Sequence, residues 1–347
     1  IINITPIGGR MDGQIADERD WNGDWNPIWN VRTGRFDGGW TLEAEIPFKS
    51  LRYRPGRDQV WGIQLRRNLQ SKNEVAYLTP LDLGLGRSAI FHVSQAATLV
   101  GVEVPSTGPL FEVKPYLIGD LNSNVDPSGL TTHGSGNVGL DIVKYGVTEN
   151  LTLDFTLNTD FAQVEADEQQ VNLTRFSLFF PEKRPFFLEN AGRFAVGNNQ
   201  SAQMFFSRRI GIGEGGVPVP IEWGNRLSGR VAGLDVGLIH MRTEAVEDGT
   251  PGNGYTVARL ARELPNRSGV GVMFTERSAL GVADDRGRTF AADANIGIGE
   301  FFNFTGVLGA TTSSVPGEET PTDGREAIIL TANYRDSDWQ FRSSYDR

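Results

Sequence analysis

Apolar and polar residues alternate strictly along several stretches of the chain after residue 110. In NLTLDFTLNTDF, the apolar residues Leu151, Leu153, Phe155 and Leu157 alternate with threonine, aspartate and asparagine. Because successive side chains of a β-strand point to opposite faces, this pattern predicts strands with one apolar and one polar face. RTFAADANIGI and DWQFRSSYDR follow the same pattern. The predicted strands are about ten residues long, the length of a tilted strand that crosses a membrane.

The connections between these strands are predicted to be of two kinds that alternate. Short turns are predicted at 147–150, 232–233, 265–269, 299–300 and 335–338. Longer polar loops are predicted at 122–136, 244–254, 277–288 and 313–325. Outer-membrane barrels have short turns on one side and long loops on the other, whereas a soluble sandwich does not need this sorting. We count about 13 candidate strands, whereas single-chain bacterial barrels have an even number, so we expect the barrel to continue beyond Arg347.

Residues 1–105 differ from the rest of the chain in composition, because they hold five of its seven tryptophans. The segments GWTLEAEIPF (39–48) and QVWGIQLRRN (59–68) alternate like half-buried strands of a small β-sandwich. A stretch with proline and glycine, VEVPSTGPL (102–110), is typical of a linker. The sequence therefore predicts an all-β protein: the carboxyl-terminal part of a β-sandwich over 1–105, and an incomplete antiparallel up-and-down barrel of the outer-membrane type over 106–347.

Composition narrows the classes of function. No run approaches the roughly 18 apolar residues that a membrane-spanning helix needs. A formal net charge of −10 argues against a nucleic-acid partner, because no basic surface is available to displace the counterions of phosphate. Cysteine is absent, which excludes disulfides and thiolate metal sites. The chain starts at Ile1 without methionine or signal peptide, so we expect it to be a fragment or a processed product.

The segment FFPEKRPFFLEN (179–190) has two phenylalanine pairs around two prolines. Proline removes a backbone donor and fixes φ, so a strand that arrives here must stop, and nothing in the segment fits a helix. From the directions of the strands we expect this motif near the periplasmic rim, with the phenylalanines at the membrane interface and Lys183 and Arg184 in water. The alternative is a proline-rich turn of an ordinary β protein. The motif residues are Phe179, Phe180, Pro181, Glu182, Lys183, Arg184, Pro185, Phe186 and Phe187.

Taken together, the chain resembles a family of bacterial (Gram-negative) outer-membrane proteins in which a family 9 type carbohydrate-binding module precedes a β-barrel. The matching segments are GWTLEAEIPFKSLRY, WGIQLRRNLQSKNE, LNTDFAQVEADEQQVNLTRFSLFFPEKRPFFLEN and FFSRRIG followed by NRLSGRVAG, over residues 39–233. The resemblance implies an outer-membrane location with a periplasmic amino-terminal domain, contact with membrane lipid, and glycan binding. It also implies that this chain is an interior piece of a longer protein.

A cluster of tryptophans offers a site for sugars. WNGDWNPIWN supplies Trp21, Trp25 and Trp29 with polar residues between them, including Asp24 and Asn26. Flat aromatic faces stack on pyranose rings, and planar polar groups bind hydroxyls, so these five residues are the predicted ligand site. The alternative is that this cluster is a packed loop of the domain.

No catalytic constellation is recognised in the sequence, and neither a cofactor nor a metal site is predicted. The acidic stretch DFAQVEADEQQ has oxygen ligands but lacks the spacing of a calcium loop. GIGEGG is followed by VPVP instead of a helix, which rules out dinucleotide binding. The leading hypothesis is a non-enzymatic outer-membrane barrel for glycan binding, uptake or surface structure. The alternatives are a soluble carbohydrate-binding protein and a glycoside hydrolase, which requires two carboxylates across a cleft.

Overall fold

A computed structural model describes most of the chain. The described residues are 1–16, 18, 20–22, 27–51, 53, 59–81, 89–104, 111–126, 129–148, 150–158, 182, 184–197, 201–213, 219–246, 251–299, 301–317, 325–336 and 338–347. The chain divides into two compact units, Ile1–Gly108 with Arg335–Trp339 and Pro109–Tyr334 with Gln340–Arg347.

The first unit consists of short antiparallel pairs of strands. Its strands are β1 (Ile2–Ile4), β2 (Arg10–Asp12), β3 (Gln14–Ala16), β4 (Asp20–Asn22), β5 (Asn30–Phe36), β6 (Gly39–Glu45), β7 (Gln59–Ile63), β8 (Arg66–Leu69), β9 (Glu74–Tyr77) and β10 (Ala97–Val102). The pairs are β1 with β2, β3 with β4, β5 with β6, β7 with β10 and β8 with β9. The two predicted strand segments do form strands. Leu42 of β6 is nevertheless 45% exposed, so the predicted burial of its apolar face is incomplete.

The second unit is built on one antiparallel sheet. Its strands are β11 (Phe111–Asp126), β12 (Gly129–Thr148), β13 (Leu151–Leu157), β14 (Ile221–Val231), β15 (Leu234–Thr243), β16 (Asn253–Leu264), β17 (Ser268–Ala279), β18 (Arg286–Ile298), β19 (Phe302–Ser314), β20 (Glu326–Arg335) and β21 (Gln340–Asp346). Each strand pairs with the next along the chain, in up-and-down order. The predicted all-β fold with an up-and-down sheet is thus confirmed. In the described part of the chain, no pairing joins β11 to β21, and these eleven strands form an open sheet.

The predicted short turns are where the sequence places them, and their backbone explains why the sheet stays in register. Asn266 and Arg267, between β16 and β17, both have positive φ, which is the arrangement of a type I′ turn. This turn matches the twist of its flanking strands, and the two strands pair from Asn253↔Ala279 to Leu264↔Ser268 without a register shift. Ala232 and Gly233 form a second connection of this kind between β14 and β15.

One predicted loop is wrong. Residues 122–136 are mostly strand, because β11 continues to Asp126 and β12 begins at Gly129. The asparagines, serines and glycines of this stretch are typical of turns, but continuous pairing from Pro115↔Leu140 to Asp126↔Gly129 overrides that local preference. The residues between β13 and β14 include one short helix, α1 (Pro185–Leu188). The prediction that nothing in the 179–190 segment fits a helix is therefore also wrong, since Pro185 is well suited to the first position of a helical turn.

Candidate functional site

The described residues of 182–213, which we call the insert, pack on one face of the sheet of the second unit. The insert contributes Phe186, Phe187, Phe194, Val196 and Ile210 to a buried apolar cluster. The strands contribute Ile221 of β14, Ile239 and Met241 of β15, Val257 of β16, Met273 of β17 and Ala291 of β18. The cluster therefore extends over five neighbouring strands, and it holds the insert against the centre of the sheet.

A glycine of the sheet makes room for this contact. A Cβ atom at Gly237 of β15 would lie 2.7 Å from the ring of Phe194, closer than real carbon atoms approach. Interiors are packed to the density of organic crystals, so a side chain at this position would displace the phenylalanine. Gly237 thus permits Phe194 to lie directly on the backbone of the strand.

Arg184 is the buried anchor at the start of the insert. Its side chain is only 1% exposed, and its guanidinium forms a two-pronged ion pair with Glu182, with Nε to Oε1 and Nη2 to Oε2 both at 2.8 Å. It also donates to the backbone oxygens of Ile210 at 2.6 Å and Ser207 at 2.9 Å. Arg184 therefore ties the two ends of the insert together. Its guanidinium lies 4.2 Å from the centre of the Phe187 ring, within cation–π range.

These contacts correct the interpretation of the proline motif. The sequence placed Arg184 in water and the phenylalanines at a membrane interface, but Arg184, Phe186 and Phe187 are all buried. The physical reason is that Arg184 finds carbonyl partners more than twenty residues away, which satisfy its charge without water. Phe179, Phe180, Pro181 and Lys183 lie outside the described residues, as do Asp160, Glu165, Asp167 and Glu168 of the acidic stretch.

Arg226 of β14 is the buried anchor on the sheet. It donates to Asp154 of β13 through Nε at 3.0 Å and Nη2 at 2.6 Å, and these two side chains are 1% and 0% exposed. Its Nη1 donates to the backbone oxygens of Phe186 and Glu189 in the insert. The Glu189 carboxylate in turn accepts from Lys144 of β12 at 2.7 Å. One guanidinium thus joins two strands and the helical turn α1.

Further ion pairs extend this polar layer along the same face. Arg193 of the insert donates to Asp235 of β15 and to the backbone oxygen of Gly229. Asp235 also accepts from Arg230 at 2.8 Å. Asn190 donates to the hydroxyl of Ser228 at 2.9 Å. The face covered by the insert therefore combines an apolar centre with a set of charged side chains, whose partners come from both the sheet and the insert.

Beyond the insert, Arg259 of β16 reaches across β17 to Asp293 of β18. Nη2 donates to Oδ2 at 2.8 Å, whereas Nη1 and Oδ1, at 2.6 Å, form an ion pair that is not aligned as a hydrogen bond. A Cβ atom at Gly271 of β17 would lie 2.2 Å from this guanidinium, so any other residue at this position would displace the end of the arginine side chain. The Arg259–Asp293 pair adds a charge-neutral polar group to the face of the sheet on which the insert packs.

The opposite face of the sheet is apolar and exposed. Its exposed residues include Leu260 of β16, Val272 of β17, Phe290 of β18 and Leu308 of β19, at 46%, 54%, 55% and 54%. A hollow of about 700 Å³ lies among these side chains and has an almost entirely apolar lining. Aromatic pairs lie at the strand ends, Trp223 with His240 at 5.3 Å and Phe301 with Tyr334 at 6.3 Å. The face is thus an apolar surface bordered by aromatic residues.

In the first unit, the predicted sugar-binding residues are not in equivalent environments. Trp29 is 3% exposed, its ring nitrogen donates to Asp12 at 2.8 Å, and Arg10 lies 5.4 Å from its ring centre. This tryptophan is part of the core and offers no free ring face. Trp21 is 40% exposed and stacks on Phe91 at 6.3 Å. Asp24, Trp25 and Asn26 lie outside the described residues.

Sequence reasoning missed a pair of side chains close to Trp21. Glu18 has a positive φ of 59°, and its carboxylate accepts from the backbone nitrogen of Ser94 at 2.6 Å and contacts Nδ1 of His92 at 3.0 Å. His92 follows Phe91, on which Trp21 stacks. The two contacting segments are more than seventy residues apart, and no local pattern could have connected them.

Within the described ranges, no group of three or more histidine, cysteine, aspartate or glutamate side chains is arranged to hold a metal ion. No helix in that part of the chain is long and apolar enough to cross a membrane.

One family of known proteins matches the chain in part. A model described as Domain of unknown function (DUF5916) matches residues 110–218, which include β11–β13 and the insert. The comparisons with curated proteins and with solved structures gave no match. The region similar to this family is therefore the one that joins the first three strands of the sheet to the insert.

Replacement of Arg226 by methionine is expected to lower the free energy of unfolding by about 3–5 kcal/mol, because it leaves the Asp154 carboxylate buried without its cation. The double variant Arg226→Met/Asp154→Leu should recover much of this loss. Urea titration followed by tryptophan fluorescence measures both effects. Arg242→Met is the matched control, since its pair with Glu222 is exposed and contributes at most about 1 kcal/mol. Equal losses in the two single variants would contradict the anchoring role.

The contacts of the Glu182 carboxylate predict that the stability of the fold depends on pH. Burial opposes its charged form, but the hydrogen bonds and charge of Arg184 and the Ser207 hydroxyl outweigh burial and lower the pKa of Glu182. The pKa of Glu182 is lower in the folded chain than in the unfolded chain, where it is about 4.3. The carboxylate therefore stabilises the fold at pH values above about 4.3, and this contribution is lost as the pH falls through the pKa of the folded chain. We expect Glu182→Gln to weaken the dependence of unfolding free energy on pH below about 4.3. Glu222→Gln controls for the loss of one surface carboxylate, and an unchanged pH profile in Glu182→Gln would refute the assignment.

Proposed function

We propose that this chain is part of a bacterial outer-membrane β-barrel protein that acts without catalysis in glycan binding, uptake or surface structure. The single observation that carries the proposal is the two-faced sheet. One face is exposed and apolar, and the other, which has an apolar centre beside buried charged side chains, is covered by a segment of the same chain. In a soluble β protein, the apolar face of a sheet is normally the one that is covered.

The dimensions of the apolar face support contact with lipid. From Trp223 to Val231, β14 spans eight residue steps. At about 3.4 Å per step and a tilt of about 40°, this stretch rises roughly 20 Å, close to the apolar band of about 25 Å in outer-membrane barrels. Aromatic residues at the strand ends match the girdles found at membrane interfaces. On this proposal, the insert occupies the side of the sheet that becomes the barrel lumen.

The amino-terminal unit supports a role in glycan recognition. The resemblance to outer-membrane proteins with a family 9 type carbohydrate-binding module supports a periplasmic location for this unit. Trp21 is the residue that fits such a role, because its indole is partly exposed and rests on Phe91. Rigid aromatic surfaces bind rings at little entropic cost.

The membrane assignment is tested by heat-modifiable gel migration after refolding in detergent micelles and in plain buffer. We expect a shifted band in detergent that disappears on boiling. Leu308→Arg places a charge in the apolar face, and if that face contacts lipid it should cost about 2–4 kcal/mol of stability in bilayers.

Val231→Arg, at the end of the same face, is the matched control and should cost about 0–1 kcal/mol. In a soluble protein both residues are already exposed, so both changes would alter stability by about 0.5 kcal/mol or less. A chain that folds as a soluble monomer in buffer, tolerates Leu308→Arg and shows no shift refutes the membrane assignment.

Glycan recognition predicts that Trp21→Ala weakens sugar binding by about three- to tenfold, the range that corresponds to the loss of one stacking contact. Calorimetric titration of the whole chain with glucose, xylose and N-acetylglucosamine measures this change. Trp339→Ala, which removes an exposed tryptophan of similar size, is the control and should leave binding unchanged. If none of the three sugars binds, or if the two substitutions change the affinity equally, the result argues against a sugar site at Trp21.

A further inference from the structure

A small polar pocket lies where the insert meets the later strands of the sheet. It has a volume of about 200 Å³ and is lined by the insert residues Ala202–Met204 together with Thr289 of β18, Thr311 of β19 and residues 325–327 at the start of β20. We refer to it as the seam pocket. Its walls come from both the insert and the sheet, so a ligand bound there would contact both.

The seam pocket exists because of a close contact beside it. A Cβ atom at Gly309 of β19 would lie 2.7 Å from the sulfur of Met204. The glycine therefore lets the methionine side chain lie on the strand and brings the backbone of the insert near β18–β20. Met204 forms the apolar part of the lining, and the polar residues surround it.

The lining residues specify the chemistry of a ligand. The hydroxyls of Thr289 and Thr311 lie 3.2 Å apart, and each can both donate and accept a hydrogen bond. Gln203 adds an amide with the same double capacity, and Arg325 contributes a guanidinium, which donates hydrogen bonds. This combination of donors and acceptors complements a ligand rich in hydroxyl groups.

The size of the seam pocket limits such a ligand to one ring. Its volume equals that of about six or seven water molecules at about 30 Å³ each, and it is below the usual range of about 300–1,000 Å³ for drug-sized ligands. An oligosaccharide could place only a terminal unit in it. Met204 would face the apolar side of that unit.

We propose that the seam pocket binds a single polyhydroxylated unit, a monosaccharide or the end of a longer glycan, between the insert and β18–β20. This inference rests on the proposed role in glycan binding or uptake, and it places a second sugar contact on the lumen side of the sheet. Because the ligand would bridge the insert and the sheet, its binding would stabilise the contact between them.

The absence of cysteine from the chain allows a direct test. In Thr311→Cys, the single thiol lies in the seam pocket and can be labelled with a small maleimide. D-glucose is expected to slow this labelling by a factor of 1 + [L]/Kd, about elevenfold when its concentration is ten times its Kd. Thr305→Cys, on the same face of β19 but outside the lining, is the matched control and should show no protection.

Further variants keep the outcome decisive. Gln203→Cys probes the pocket from the insert and should be protected in parallel, so a defect of Thr311→Cys alone does not determine the result. Thr289→Val in the Thr311→Cys background is expected to abolish the protection, because it removes the threonine hydroxyl that remains in the lining of that variant. L-alanine, a small zwitterion, should give no protection, and protection by alanine but not by glucose would overturn the proposed ligand class.

The test separates this inference from the proposed function. If the cysteine variants show the heat-dependent shift in detergent but glucose protects neither pocket thiol, the seam site is refuted and the membrane assignment stands. If the variants fold only as soluble proteins, the membrane assignment fails, and the protection measured in buffer still decides whether the seam pocket binds glucose. Equal protection of Thr305→Cys would show a non-specific effect and would overturn the inference.

Discussion

The attachment of the insert to the sheet depends on the hydrogen bonds of Arg226. Its guanidinium is bound on one side by Asp154 and on the other by two backbone oxygens of the insert. Burial of a charge costs several kcal/mol unless partners satisfy it, so this arginine requires both the neighbouring strand and the insert. The apolar cluster around Phe186 and Phe194 supplies the favourable burial that offsets the cost. Without the insert, the same face would expose an apolar centre and lose the partners of its charges.

The strands and their short turns could be predicted from sequence because their signals are local. Alternation around Leu153 and a turn at Asn266 depend on residues that are neighbours in the chain. The position of the insert could not be predicted in this way. Arg184 is bound by carbonyls at Ser207 and Ile210, and Arg226 by a carboxylate 72 residues away, and no periodic pattern marks such partners. Charged residues between prolines therefore suggested a solvated rim, whereas tertiary contacts bury Arg184.

The candidate sugar site also could not be predicted fully from the sequence, but for a different reason. Composition predicted an aromatic surface in the first unit, and both Trp21 and Trp29 fit that composition. Their environments differ because Trp29 has a hydrogen-bond partner in Asp12 and a cation at Arg10, which favour its burial, whereas Trp21 stacks on Phe91 and stays 40% exposed. Residue type could identify the candidates, but only the contacts of each ring distinguish a core residue from a surface one.

The insert is held unequally by the two sides of the sheet. Toward β12–β15 its described contacts include the ion pairs of Glu189 and Arg193, the bonds to Arg226 and the packing of Phe194 on Gly237. Toward β18–β21 they include the contact of Met204 with Gly309, a hydrogen bond from Ser201 to Asp346 and the polar lining of the seam pocket. Exposed polar contacts contribute much less than buried charged ones. The contacts of the insert toward β18–β21 are therefore the weaker ones, and a displacement of the insert would begin there.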